Sequence, residues 1–501
     1  MYLLGYDIGS SSVKAAIVEV ETGKTLAVAR YPETEMAIQA PQPDWAEQDP
    51  DDWWGNVCKA TRMLLQDHRI DPARIKGIGI AYQMHGLVLV DEEMRPLRPS
   101  IIWCDSRAVE IGEEAFEQLG KATCLRSLLN SPGNFTASKL RWVQQHEPEL
   151  YARARKFMLP GDYIALKLTG RAATTASGLS EGIFWDFQKN NLSEDLLRHY
   201  GIARELAPEM VPTCGLQGRL SAEAAEATGL APGTPVTYRA GDQPNNAMSL
   251  NTLQPGEVAA TGGTSGVVYG IVDKLIYDED SRVNSFAHVN HKPDQPRIGV
   301  LLCINGAGIQ YSWVKHQLAG NGIDYGEMER LAGSVPAGAE GLSILPFGNG
   351  AERMLNNRAV GGHISNLQFN RHGRPHLFRA ALEGVAFAFV YGMNILREMG
   401  LDVHRIRVGN DNLFQSAVFS STISTLMGSR IELYDTTGAV GAAKAAGIGA
   451  GCYASLEEAM GQAIAVQAFE PLPEKGPYEE AYERWKKELD AKIGRPAAVP
   501  L

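Results

Sequence analysis

One strand–turn–strand device occurs twice in this chain. Leu4-Gly-Tyr-Asp-Ile-Gly-Ser-Ser-Ser-Val returns, roughly 250 residues downstream, as Val258-Ala-Ala-Thr-Gly-Gly-Thr-Ser-Gly-Val. In both copies an apolar strand enters a turn of small hydroxyl and glycine residues and a second strand leaves it. Gly9 thus corresponds to Gly263, Ser10 to Thr264 and Ser11 to Ser265. A chain whose two halves open alike is expected to form two related domains, and 501 residues exceed what a single core ordinarily serves. The expected division is 1–248 and 249–501.

Strand and helix signals alternate along both halves. The spacing predicts strands over 2–7, 13–20 and 25–31, a β-meander joined by Gly9-Ser10-Ser11-Ser12 and by Glu21-Thr22-Gly23-Lys24. Asp49 is placed to cap a helix with Pro50 in its first turn, where Asp51 and Asp52 meet the positive dipole end. Strands are expected over 76–81 and 87–90, flanking the polar corner Gln83-Met84-His85-Gly86. Helices are expected over 137–146, 377–398 and 478–492, the last read as structural packing. The alternation indicates an α/β architecture.

Charge and composition exclude some partners. With 47 Lys and Arg against 58 Asp and Glu, the formal charge of −11 argues against a nucleic-acid binder, which must neutralise phosphates. The six cysteines are far apart and show no paired metal spacing, the pattern of free thiols in a reducing compartment. His288-Val-Asn-His291 has no convincing further ligands and reads as a loop. The chain begins without a charged leader or apolar signal core, no apolar run reaches the length of a membrane span, and Lys444 interrupts the small-residue stretch 439–451. A cytoplasmic location with no membrane partner is the expectation.

A turn such as Asp7-Ile-Gly-Ser-Ser-Ser lets backbone N–H groups and hydroxyls surround phosphate oxygens, because glycine allows close approach. One such turn is ordinarily just a hairpin. Two matched turns facing each other across a cleft can grip opposite ends of a triphosphate. Asp7, beside the first, suits Mg²⁺, a hard cation that takes oxygen ligands and travels with phosphate. Gln83, Met84, His85, Trp103 and Asp105 mix directional hydrogen-bonding groups with apolar surface, as sugar recognition requires. Arg107 is equally placed to brace Asp105 or to touch substrate, and Asn245 and Asn246 either orient a sugar or cap the next element.

Several longer segments, Trp45-Ala-Glu-Gln-Asp-Pro-Asp-Asp-Trp-Trp, Tyr82-Gln-Met-His-Gly, Leu159-Pro-Gly-Asp-Tyr, Phe135-Thr-Ala-Ser-Lys-Leu-Arg-Trp-Val and Ala380-Ala-Leu-Glu-Gly-Val-Ala-Phe, together resemble the FGGY carbohydrate kinases over nearly the whole chain. The resemblance implies two ribonuclease-H-like domains of the actin-like ATPase and sugar-kinase type around a central cleft. ATP and Mg²⁺ would be the cofactors and a sugar the partner substrate, D-xylulose being the expected acceptor; another ketose, a pentitol or glycerol is left open, as is a homodimer. Asp242, in Ala240-Gly-Asp-Gln-Pro-Asn-Asn, falls where the family places its catalytic acid. Its expected roles are general base, substrate contact beside Gln243, and metal ligand with Asp7. ATP and its phosphates would meet Gly9, Ser10, Ser11, Ser12 and Lys14 on one side. On the other they would meet Gly263, Thr264, Ser265, Gly409, Asn410 and Asn412.

The chain departs from the family pattern where a Gly-Gly-Gly-Ala-type turn becomes Gly409-Asn-Asp-Asn and where a Gly-Glu-Arg-Thr-Pro-like run becomes Gly350-Ala-Glu-Arg-Met. Two other readings share the paired turns: an actin-like ATP-binding switch and a sugar sensor without turnover.

Overall fold

This computed structural model describes residues 1–320 and 322–494, so 495–501 of the expected second domain lie outside it. Six strands make the first sheet: Tyr2–Ile8 (β1), Val13–Glu19 (β2), Thr25–Tyr31 (β3), Ile75–Tyr82 (β4), Cys214–Arg219 (β5) and Pro235–Gly241 (β6), in the order β5-β6-β4-β1-β2-β3. The second contains Glu257–Gly262 (β7), Gly266–Val272 (β8), Asn284–Ala287 (β9), Ile298–Ile304 (β10), Arg405–Gly409 (β11), Arg430–Tyr434 (β12) and Gln467–Phe469 (β13), in the order β9-β10-β8-β7-β11-β12-β13.

The two sheets are copies of one plan. From β3 to β5 the pairings run antiparallel, antiparallel, parallel, parallel, antiparallel. From β10 to β13 they run in the same sequence, with β9 added at the edge. This is the ribonuclease-H-like arrangement expected from the sequence. The two Gly/Ser/Thr turns follow β1 and β7, the equivalent central strands, so the repeat in sequence is a repeat in topology.

The helices that matter for the site are Pro50–Asp67 (α1), Thr136–His146 (α2), Pro160–Thr169 (α3), Ala176–Glu181 (α4), Asp242–Ser249 (α5), Gly308–Val314 (α6), Arg374–Glu398 (α7), Ala417–Met427 (α8), Gly438–Gly449 (α9) and Gly476–Ile493 (α10). Asp49 caps α1 by accepting from Asp51 N at 2.9 Å, and Trp53, Val57 and Leu64 on that helix are buried against the first sheet. The other face of the sheet takes α9, from the far half of the chain. Its fit depends on missing side chains: a Cβ on Gly5 would lie 2.0 Å from Ala439 O and one on Gly79 2.0 Å from Ala442 O. Neither contact is sterically possible for alanine, so the small-residue surfaces of β1, β4 and α9 fit only one another.

Contrary to the expectation that no apolar run reaches the length of a membrane span, α7 could cross a membrane by length and composition; 94% of its apolar window is buried inside the protein, where it is a core helix of the second half. The terminal helix α10 packs as expected, burying Tyr482, Trp485 and Leu489 and donating from Trp485 Nε1 to Ile344 O at 3.0 Å.

Candidate active site

Residues at the ends of β1, β7 and β11 and just beyond β6 and β12 line one cavity at the junction of the halves. Each turn is locked locally. Gly9 N donates to Ser12 O at 3.1 Å, Gln48 Nε2 to Ser10 O at 2.6 Å and Met36 N to Ser11 O at 2.8 Å. In the second turn Gly263 O and Thr264 O accept from Gly308 N and Ile309 N, at 2.9 and 3.0 Å, at the start of α6. A cavity of about 180 Å³ lies between, lined by Asp7 and Lys14 from the strands of the first turn, Thr261 and Val267 from those of the second, and Gln243, Gly409 and Asn412. A larger one of about 630 Å³ adjoins it and is lined by Gly263, Thr264, Tyr311, Tyr325, Glu329, Asp411 and Asn412. Gly9, Ser10, Ser11, Ser12 and Ser265 line neither cavity, and Ser12 is buried.

The two halves are also tied at this junction. Asn245 Nδ2 donates to Gly438 O at 2.9 Å, Ser249 Oγ lies 2.7 Å from Thr436 Oγ1, and a Cβ on Gly438 would sit 2.9 Å from both Asp7 Oδ2 and Asn246 Oδ1. The start of α9 thus lies directly against the ends of the Asp7 and Asn246 side chains. Asn245 serves as a strut between helices, while Asn246 lines the smaller cavity.

Three carboxyls share the corner. Burial raises the Asp7 carboxyl above its ordinary range, opposed by Lys14, whose Nζ is 3.9 Å from Oδ2. Asp242, the first residue of α5, is pushed up to about 8 by burial and then by the charges of Asp7 and Glu181; hydrogen bonds from Gln243 work against the shift. Crowded acids of this kind mark sites that handle protons or cations.

On the acceptor side, Gln83 N donates to Ile8 O at 2.8 Å and Gln83 Nε2 to Gln48 Oε1 at 3.3 Å, which places Gln83 behind the first turn. Met84 is buried against Gly241. His85 is half-buried with φ +62°, and its ring meets Phe135 and, from the second half, Phe286 at centroid distances of 4.7 and 5.5 Å. Trp103 is exposed, with Nε1 3.5 Å from Ser10 Oγ. Asp105 needs correction as a sugar ligand: it is fully buried and spends both oxygens inside the protein, Oδ2 accepting from Arg107 Nη2 at 2.6 Å and Ala46 N at 2.7 Å and Oδ1 from Arg107 N at 2.9 Å. Arg107 is accordingly the brace.

On the nucleotide side, Gly409 and Asn412 line the cavities, but Asn410 turns away, Nδ2 donating to Asp435 Oδ1 at 2.9 Å. Asp411, which the motif reading passed over, lines both cavities instead. Lys14 is half-exposed at the rim. In the other divergent segment, Glu352 is buried and accepts from Asn305 N and Gly306 N, each at 3.0 Å, so it fixes the loop after β10.

Sequence reasoning missed Glu181, Lys139, Asp411 and the aromatic pair Tyr311–Tyr325, stacked at 5.7 Å. Lys139 stood inside a quoted motif, yet its neighbours do not reveal that Nζ, fully buried, donates at 2.9 Å to both His85 O and Ile102 O. Glu181 carried no local signal; its partner His85 lies 96 positions earlier.

A family model described as the N-terminal domain of the FGGY family of carbohydrate kinases matches residues 2–249, and that of the family's C-terminal domain matches residues 258–450. The xylulose kinase of Escherichia coli strain K12 is 30% identical over 467 residues, 92% of this chain and 93% of that protein. The L-xylulose/3-keto-L-gulonate kinase of the same strain is 31% identical over 464 residues, covering 91% of this chain and 90% of that one. The crystal structure of xylulose kinase from Rhodospirillum rubrum is similar at a TM-score of 0.88 with 27% identity, covering 99% of each chain.

Proposed function

We propose that this chain, which belongs to the FGGY family of carbohydrate kinases, transfers the γ-phosphate of ATP to the terminal hydroxyl of D-xylulose, giving D-xylulose 5-phosphate and ADP. The family makes it an ATP-dependent carbohydrate kinase; the choice of D-xylulose is supported by the names of its relatives. The observation that carries the mechanism is the small cavity flanked by the strands of both turns, with Asp242 immediately before the lining residue Gln243 and close enough to Asp7 and Glu181 to feel their charges.

In this reading the base lies over the larger cavity, near Tyr311 and Tyr325, and the polyphosphate runs past Asn412 between the two turns. The sugar lies against Met84, His85 and Trp103 with Gln243 at its edge. Asp242 takes the proton of the attacking hydroxyl, a role for which a carboxyl raised toward neutral pH is suited. Positioning of the two substrates contributes more to the rate than the proton transfer does. Closure of the halves on the bound substrates would keep water from the reacting phosphate.

Asp7 and Asp242 fit a Mg²⁺ site: two buried carboxyls close enough for the charge of Asp7 to raise the proton affinity of Asp242 will also attract a cation brought in by phosphate oxygens. The ion, when bound, would neutralise charge on the transferring group.

A panel of D-xylulose, L-xylulose, 3-keto-L-gulonate, a pentitol and glycerol, with ATP and Mg²⁺ and with both ADP and sugar phosphate measured, tests the reading. D-xylulose should give the highest kcat/KM. A higher value for another acceptor would move the substrate assignment and leave the kinase class standing, whereas ATP hydrolysis without any sugar would favour the switch.

A further inference from the structure

His85 is held in a conformation it would not choose. A φ of +62° lies in the left-handed region, which residues other than glycine seldom enter. Two groups from other elements hold it there: Glu181 Oε2 accepts from His85 N at 2.7 Å, and Lys139 Nζ donates to His85 O at 2.9 Å. Glu181 also controls the ring. His85 Nδ1 lies 2.9 Å from Glu181 O and 3.1 Å from Glu181 Oε2, and both are acceptors. Nδ1 therefore carries the proton, and the lone pair of a neutral ring falls on Nε2, which makes no hydrogen bond with the described residues.

The cost to the fold argues that this arrangement serves more than stability. Glu181 is buried at the end of α4, beside the Tyr82 hydroxyl and the like charge of Asp242, an expensive place for a carboxylate. The helix is anchored so that Glu181 cannot drift: Ser177 Oγ donates to Ala287 O at 3.2 Å and Ser180 Oγ accepts from Ala287 N at 2.9 Å, both across to β9 of the second half.

We propose that Glu181 is a positioning residue for the acceptor: it fixes the backbone and the tautomer of His85 so that Nε2 meets the sugar as a hydrogen-bond acceptor and selects a donating hydroxyl there. This rests on the reading of His85 as a sugar ligand. Glu181 itself touches no reacting atom.

Steady-state constants for Glu181→Ala, Glu181→Gln, His85→Ala and the Glu181→Ala/His85→Ala double variant test it. Glu181→Ala is expected to raise the acceptor KM about tenfold or more while the KM for ATP stays within about twofold. Glu181→Gln, whose amide oxygen can still accept from His85 N, should return the acceptor KM to within about threefold of wild type. The double variant should be no worse than His85→Ala, because both changes remove one function. An unchanged acceptor KM in folded Glu181→Ala, a Gln variant as impaired as the Ala variant, or additive losses in the double variant would overturn the proposal. An unchanged acceptor KM in His85→Ala would instead remove the sugar-ligand reading beneath it. Should Glu181→Ala not fold, ¹⁵N-histidine spectra of the wild type, assigned by the signal missing in His85→Ala, decide: the Nδ1–H tautomer is expected, and Nε2–H would overturn it.

Discussion

Asp242 has two neighbours of its own sign, and its behaviour with pH follows from them. Because burial and the charges of Asp7 and Glu181 push its carboxyl up to about 8, the free protein carries it largely protonated at neutral pH. A base must be ionised, so kcat/KM for the acceptor should climb with pH and level off above about 8, and the limb should move to lower pH in Glu181→Gln, which removes one like charge. Stability runs the opposite way. A carboxyl whose folded value exceeds its unfolded one favours the fold fully below the unfolded value, about 4, and that advantage is lost as pH rises toward 8. Asp242→Asn should therefore melt higher than wild type at pH 8.5, with little difference at pH 4, while its kcat falls at least about 100-fold. Asp242 and His85 were legible because each sits in a short motif at a strand end. Glu181 was not, since what matters about it is a partner 96 residues away. Asp105 misled for the opposite reason: a strand-end carboxylate reads as open until Arg107 is seen folded back on it.

Elements that carry these residues are held by small contacts with large consequences. Lys139 on α2 binds the carbonyls of His85 and Ile102, and so joins the loop after β4 to the residue preceding Trp103. Lys139→Met would leave the enclosed His85 carbonyl unpaired, while Ile102 O keeps Asp105 N at 3.2 Å, and urea denaturation should show a loss of about 1–3 kcal/mol accompanied by a raised acceptor KM. Gly5→Ala should cost about 1–3 kcal/mol or prevent folding, because α9 cannot back away from β1 without leaving Asp7. Four of the six strands of the first sheet, β1 to β4, and the capped start of α1 were legible from alternation and from Asp49-Pro50. The destination of α9 was not: a helix of alanine and glycine has no marked apolar face, so nothing local says that it returns to the first sheet.

At the scale of the molecule, one folding unit is used twice, and the copies differ where their tasks differ. The first sheet supplies Asp7, His85 and, just beyond β6, Asp242; the second supplies Gly409, Asp411 and Asn412 at the matching strand ends. The repeat was visible in sequence because its turns need glycine and small hydroxyl residues, whereas Asp411 lines the cavities where Asn410 was expected, because side-chain direction in an irregular turn depends on neighbours such as Asp435. Phosphorus-31 spectra of ATP and Mg²⁺ incubated with the protein and D-xylulose test the central claim directly, that one cleft passes phosphate between the substrates. A sugar phosphomonoester signal should grow as the γ-phosphate signal declines, with D-xylulose required and Asp242→Asn nearly silent. Inorganic phosphate appearing at the same rate with and without sugar, or full product formation by Asp242→Asn, would contradict it.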